Sequence, residues 1–288
     1  MKKLLLSAFV ICLAGTSIAQ ESPLWMRHCA LSPDGTTIAF TYKGDIYTVP
    51  STGGRATQIT TNPAFDTEPV WSPDSKQIAF ASDRMGSLDV FVVSSEGGAP
   101  QRLTTHSGSE KPVAYKDNKH ILFTANIAPS AEDAGFPSGQ FQQVYEVAVT
   151  GGRPAMFSSR PMECISINKE GVMLYQDKKG YEDYWRKHQV SPIARDIWTY
   201  TPGKKPVYQK QTTFGGEDRE PVWSPDGKSF YYLSEEKGSF NIFQRTPGTT
   251  TSQQITFHTK PPVRCLSVST PGTLCNGYGG DMSTLTPG

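Results

Sequence analysis

The groups best able to do chemistry in this chain are five histidines, five cysteines and a spread of carboxylates, and their spacing decides which chemistry is open to them. His28, His106, His120, His188 and His258 stand far apart, with no cysteine or carboxylate at metal-ligand spacing, and no His-Glu-x-x-His motif occurs. No Gly-x-Ser-x-Gly elbow occurs, so an α/β-hydrolase triad lacks its nucleophile. Gly227-Lys228-Ser229 imitates the end of a phosphate loop, but Val222 stands where that loop needs its first glycine. Glu217, Asp218, Glu235 and Glu236 form a cluster of carboxylates, but loops carry such charges routinely. The expectation is therefore a segment with no catalytic residue, no metal site and no cofactor.

Recognition chemistry is better supplied. The stretch "GYEDYWRKHQVSPIA", residues 180–194, gathers Tyr181, Tyr184 and Trp185 as flat apolar surface and Arg186, Lys187 and His188 as positive charge, and Arg195 and Asp196 follow it. Tyr, Trp and Arg dominate binding hot spots. Two readings stand: a contact with a peptide or with another domain of the same chain, or a loop that buries its own aromatics. A second irregular stretch, residues 127–140, is rich in Ser, Ala, Gly and Pro and reads as a flexible flap.

The elements that must position these stretches follow from a repeat. "EPVWSPD" occurs at Glu68–Asp74 and again at Glu220–Asp226, and Ser-Pro-Asp also occurs at Ser32–Asp34, forty residues before Ser72. A period near forty is the mark of propeller blades. Each unit has an apolar segment, a Ser-Pro-Asp turn, a strand such as "KQIAFASD", a third strand such as "DVFVVSS" and a short last strand such as "RLT". Proline presets the second turn position, and Gly35 or Gly227 suits the fourth. Four short antiparallel strands make a blade. The fold class is all-β, a six-bladed β-propeller, with blades near 25–61, 68–105, 111–159, 162–213, 218–257 and 263–288. The last blade is incomplete by one strand. Either residues 20–24 supply that strand or the chain is part of a longer protein. Trp71 and Trp223 are expected to pack between blades, and Asp74 and Asp226 to satisfy turn amides. Both insertions fall between second and third strands of neighbouring blades, which puts them side by side on one rim.

The N-terminus reads as an export signal. Lys2 and Lys3 precede an apolar run from Leu4 to Leu13, too short to span a bilayer, and Ser17-Ile18-Ala19 suits cleavage, giving a leader over 1–19. The mature chain, 20–288, is then exported, in a bacterial periplasm, with no membrane anchor. A net charge of +1 without a basic block gives no support for a nucleic-acid partner. Four cysteines remain after the leader, Cys29, Cys164, Cys265 and Cys275. An oxidising compartment permits disulfides, and Cys265 and Cys275 could face each other across a hairpin; buried free thiols are the alternative.

These residues also carry a resemblance. "PLWMRHCALSPDGTTIAFTYKGDIYTVPSTGGRATQIT", 23–60, resembles the first blade of exported tricorn-type serine peptidases, and "YEDYWRKHQVSPIARDIW", 181–198, resembles that family's blade-four insertion. Ser-Pro-Asp-Gly repeats are shared more widely with TolB-type propellers. The resemblance implies a six-bladed propeller followed by a seven-bladed one, a PDZ-like domain and a catalytic core with a nucleophilic Ser and its His. None of the core's motifs occurs here, so no catalytic residue is carried over. It implies a propeller that gates or binds peptides and docks downstream domains; a homo-oligomer stays open. The alternatives are a free-standing TolB-like binding propeller, and the N-terminal propeller of a prolyl-oligopeptidase-type enzyme, which would need a Gly-x-Ser-x-Gly elbow downstream.

Overall fold

The computed structural model describes residues 25–127, 142–180 and 190–287. The leader, residues 20–24, most of the first insertion, and Tyr181, Tyr184, Trp185, Arg186, Lys187 and His188 lie outside the described residues.

Every regular element described is a strand. Blade one holds β1 (Arg27–Leu31), β2 (Thr37–Tyr42), β3 (Asp45–Pro50) and β4 (Thr57–Gln58). Blade two holds β5 (Asp66–Trp71), β6 (Gln77–Ser82), β7 (Asp89–Ser94) and β8 (Gln101–Arg102). Blade three holds β9 (Lys111–Asp117), β10 (His120–Ala125), β11 (Gln143–Ala148) and β12 (Ala155–Ser158). Blade four holds β13 (Met162–Ile167), β14 (Met173–Asp177), β15 (Ile197–Thr201) and β16 (Val207–Lys210). Blade five holds β17 (Asp218–Trp223), β18 (Phe230–Ser234), β19 (Asn241–Arg245) and β20 (Ser252–Gln254). Blade six holds β21 (Arg264–Val268), β22 (Leu274–Tyr278) and β23 (Asp281–Leu285). Each sheet is an antiparallel meander in chain order, four-stranded in the first five blades and three-stranded in the sixth. The first strand of each sheet packs against the first strands of both neighbours, and β21 packs against β1. A ring is the only arrangement that satisfies all six contacts, so these strands line its axis.

The core is divided the same way. Six clusters of buried side chains occupy the six blade junctions. Trp71 belongs to the first junction, where its Nε1–H donates to the carbonyl of Ala30 at 2.8 Å; Trp223 does the same to Val172 at 3.0 Å at the fourth. Fully burying a large apolar side chain is worth about 1.5–3 kcal/mol, and Phe80, Phe123, Phe230 and Phe243 are all fully buried at junctions.

The turn between first and second strands repeats in detail. Asp34 Oδ1 accepts from the Ser32 hydroxyl at 2.5 Å and the Thr36 amide at 2.9 Å. Asp74 and Asp226 repeat the pair with Ser72 and Lys76, and with Ser224 and Lys228. Asn168 and Asp117 stand in for the aspartate in blades four and three.

Strand direction defines two faces. In a meander the loops between strands one and two, and three and four, open on one face, here called the turn face. The loops between strands two and three, and from one blade to the next, open on the other, the mouth face. Both insertions, between β10 and β11 and between β14 and β15, leave from the mouth face.

Candidate functional site

β9 has its own bulge between Pro112 and Ala114, and the other five inner strands share one just inside the mouth. At each, one non-glycine residue is left-handed: His28 (φ 50), Glu68 (φ 56), Cys164 (φ 51), Glu220 (φ 51) and Cys265 (φ 56). Such a conformation costs on the order of 1–3 kcal/mol per residue. A bulge re-aims a side chain that a regular strand would turn aside. Blade three has no left-handed residue there and presents Lys111 instead.

These side chains sense one another across the axis. Burial depresses the His28 imidazole, a shift to which Lys111 adds and which Glu68 and Glu220 oppose. Burial, then Glu220, Glu163 and Glu68, push the Cys164 thiol well up. His28 and Lys111, or Cys164 and Glu68, belong to blades that are not neighbours, so only the channel can bring them together. Local bonds fix the ring: Lys111 Nζ lies 2.6 Å from Glu68 Oε1, Thr67 Oγ1 3.0 Å from His28 Nδ1, and Glu220 Oε2 accepts from the Leu266 amide at 2.7 Å. The arrangement brings both charge signs, an imidazole and a thiol to the mouth end of the inner strands.

A second set of charges holds the stem of the blade-four insertion. Arg195 and Asp196 are buried. Arg195 Nε lies 3.2 Å from Glu163 Oε2 and its Nη1 3.4 Å from Glu217 Oε1. Arg219 Nε meets the other oxygen of Glu217 at 2.9 Å. Asp196 pairs with Lys179 and, at 2.8 Å, with Lys210. The Ser191 amide donates to the Gly215 carbonyl at 3.2 Å. Burial alone would raise Glu163, but Arg195 and Lys178 hold it below its ordinary range. Arg195 and Asp196 thus have their charges met inside the chain, where they fix the base of the loop. Glu217, Asp218 and Glu235 are buried too. Reading the sequence gives the charges but not the partners, such as Arg195 for Glu217, that the fold brings to them.

The mouth face carries a third feature, carboxyl pairs at blade junctions, buried except for the half-buried Asp45. Asp45 lies near Asp66, Asp89 near Glu110, and Asp196 near Asp218. Burial, opposed by Thr104 and the His106 amide and aided by Asp89, brings Glu110 up to about 7. Burial likewise brings Asp218 up to about 7, against the pull of the nearby Ser234 and Thr212 hydroxyls. Arginine neutralises two of the pairs: Arg84 Nη2 lies 2.9 Å from Asp66 Oδ2, and Arg102 Nη2 2.8 Å from Asp89 Oδ2.

Around the mouth lies exposed apolar surface that the sequence reading passed over. Of the seven exposed large apolar side chains among the described residues, Trp25, Phe65, Met85, Val190 and Phe257 sit on mouth-face loops; only Met156 and Val207 do not. The signal for the ring itself was in the repeat: Glu68, Lys111 and Glu220 each precede a proline at the same point of their blades. Among the described residues no three His, Cys, Asp or Glu side chains are grouped to hold a metal. The described histidines have local partners: His106 accepts from the Gly108 amide, His120 pairs with Asp117, and His258 stacks on Tyr278.

Comparison with known proteins follows the same architecture. The family described as the tricorn protease N-terminal beta propeller domain matches residues 23–287. "Tricorn protease homolog 1" of Streptomyces coelicolor is 39% identical over 213 residues, which are 73% of this chain and 19% of that protein. The chain thus spans under a fifth of that relative. An uncharacterized protein of Agrobacterium fabrum is 34% identical over 218 residues, 70% of this chain and 68% of that one. The crystal structure of the tricorn protease superposes with a TM-score of 0.75 at 17% identity, covering 92% of this chain and 25% of that chain. TolB from Acinetobacter baumannii superposes with a TM-score of 0.66 at 14% identity, covering 88% of this chain and 62% of TolB. At such identities the superpositions speak to the fold alone.

Proposed function

Since the chain belongs to the family of tricorn protease N-terminal β-propeller domains, we propose that it is a non-catalytic propeller of an exported serine peptidase, which gates or binds peptides and docks the catalytic domains of its parent. The observation that carries the reading is the ring of His28, Glu68, Lys111, Cys164 and Glu220 just inside the face from which both insertions leave. A peptide offers amide groups and charged termini, and mixed-sign groups in a narrow, partly desolvated channel bind such groups more strongly than in open water. The exposed Trp25, Phe65, Met85 and Phe257 suit a docked domain, because apolar side chains gathered on one face mark an interaction surface. Tyr181, Tyr184, Trp185, Arg186, Lys187 and His188 belong to the same proposal as the contact loop, with Arg195 and Asp196 holding its stem. The protein acts in a bacterial periplasm after removal of residues 1–19.

Titrating the chain with fluorescein-labelled peptides of varied termini tests the reading by anisotropy. Saturable binding that weakens several-fold in both Glu220→Gln and Trp185→Ala, at unchanged melting temperature, supports it. No binding by the chain, together with no labelling of the parent protein by a serine-directed probe, would sink it.

A free-standing TolB-like binding propeller is the second reading. It is favoured by the Agrobacterium relative, which the chain covers over 68% of its length. A reading frame that stops at codon 288 would favour it; a frame that runs on to a catalytic serine would favour the first.

A further inference from the structure

Three thiols meet where the ring closes. Cys29 lies on β1 of blade one, Cys265 on β21 and Cys275 on β22 of blade six. The Cys29 thiol points across the seam and donates to the Cys265 carbonyl at 3.3 Å. Both blade-six thiols stand within hydrogen-bonding reach of it, and the three share one apolar cluster with Leu31, Phe40 and Met282. All three are free. Cys265 and Cys275 do not sit opposite each other on their hairpin, where Cys275 faces Ser267.

This seam differs from the other five junctions. Its sixth sheet has three strands, and beyond its apolar cluster it is tied by short polar contacts, from the Leu31 amide to Ser267 Oγ at 2.9 Å and from the Thr270 amide to the Pro33 carbonyl at 2.7 Å. The first and last blades meet there without a chain connection, so it is the junction where thermal opening needs no loop to stretch.

We propose that Cys29 and Cys265 are a disulfide-forming pair that staples blade one to blade six, oxidised by an external disulfide of the oxidised-dithiol class. Cys265 is the entry point because it is part-exposed in the mouth bulge, whereas Cys29 and Cys275 are buried. The Cys265 thiolate attacks one sulfur of the external disulfide, forming a mixed disulfide and releasing one external thiolate. Cys29, deprotonated, then attacks the Cys265 sulfur. The Cys29–Cys265 bond forms, the mixed disulfide breaks, and the second external thiolate leaves. Two protons pass from the protein thiols to the two released thiolates, and two electrons pass to the external disulfide. Hydrogen bonding with Cys265 and Cys275, and then burial, hold Cys29 well above its ordinary value, so exchange within the closed ring is slow and the bond, once made, persists. The bridge closes 236 residues of separation, and long loops gain most from cross-linking in the chain-entropy account. The inference goes beyond the peptide-gating reading and takes from it only the oxidising compartment.

The test uses the 288-residue chain, reduced and then incubated with oxidised glutathione under native conditions. Expected are the loss of two thiols, a proteolytic map joining the Cys29 peptide to the Cys265 peptide, and a melting temperature higher by about 5–15 °C. Cys265→Ser should abolish the rise while Cys275→Ala keeps it. Thiols that stay free after prolonged oxidation, or a map that joins Cys265 to Cys275, overturn the proposal. The map is read on the unmutated chain, so poor folding of a variant cannot mask the answer. Peptide titration of oxidised and reduced protein separates this outcome from failure of the gating reading, because stapling is measured without any peptide.

Discussion

The two faces of the ring handle carboxylates in opposite ways. On the turn face, Asp74 and Asp226 are exposed, and each takes a serine hydroxyl and a backbone amide from its own turn. The Ser72 and Ser224 hydroxyls, with those amides, hold both below the ordinary carboxylate range. On the mouth face, Glu110 and Asp218 are buried beside a second carboxylate and stand near 7. The first arrangement is local, repeats from blade to blade and needs nothing from outside its own turn. The second joins one blade to the next, differs at each junction and keeps titratable groups poised near neutrality. The turn face is built from self-contained turns. The mouth, where strain, buried charge and exposed apolar groups gather, is the face that departs from the repeat, as expected of a face with a task.

The largest effect expected belongs to the repeat. Trp71→Ala removes a buried side chain from the first junction and leaves the Ala30 carbonyl without its donor. A loss of about 3–5 kcal/mol is expected from denaturant midpoints. Less than about 1 kcal/mol would show that the junctions do not carry the ring. Next comes the stem of the insertion. Arg195→Met keeps most of the volume but leaves Glu163 and Glu217 short of a counter-charge. Lys178 and Arg219 still serve them, so a loss of about 2–3 kcal/mol is expected, at the low end for a broken buried pair. A neutral or stabilised variant would show that the network specifies the loop's position and contributes nothing to stability.

Most of the architecture was legible in the sequence because a propeller's signals are local and repeated. Ser-Pro-Asp-Gly names its own turn, and the strands beside it alternate, so the blades could be phased and Trp71 and Trp223 assigned to junctions without any knowledge of tertiary contacts. The mouth was not legible in this way. That Glu68 and Glu220 face His28 and Cys164 depends on a bulge repeated in five separate strands and on ring closure, and neither lies in any short window. Glu217 looked like an ordinary loop charge because Arg195, which meets it from blade four, stands 22 residues away. Cys29 is separated from Cys265 by nearly the whole chain, and only the seam brings them together.

Acid titration should separate the two faces. A carboxyl whose folded pKa is raised binds more protons in the folded state, so stability falls as pH rises from its unfolded value to its folded one. For Glu110 that window runs from about 4.3, the usual glutamate value, to about 7. The turn aspartates, held low, act in the opposite sense: their contribution is complete above the unfolded value and is lost as pH falls through the folded one. Maximum stability is therefore expected between roughly pH 4 and pH 5. Glu110→Gln removes the titrating group and should flatten the decline above that maximum, by on the order of 1–3 kcal/mol between pH 5 and pH 8. An unchanged slope in the variant would mean that Glu110 stays ionised in the folded ring and that the mouth has no special pH sensitivity.

The smallest effect is the sharpest probe of the mouth. Cys164 is exposed to water, yet the six inner strands enclose it, and burial, then Glu220, Glu163 and Glu68, hold its thiol well above its ordinary value. The thiolate is the nucleophile, so alkylation by iodoacetamide near pH 7.5 should run well below the rate of an unstructured cysteine. Glu220→Gln keeps an acceptor for the Leu266 amide while removing the charge. It should speed alkylation without changing the melting temperature, and mass mapping can assign the label to Cys164 apart from Cys265. A rate equal to that of free cysteine in the unmutated chain would place Cys164 outside the field of Glu220. The ring would then be five separate side chains, with no shared electrostatics to act on a peptide in the channel. A slow rate that Glu220→Gln relieves would make the mouth one coupled site, set apart from a turn face on which every aspartate answers only to its own turn.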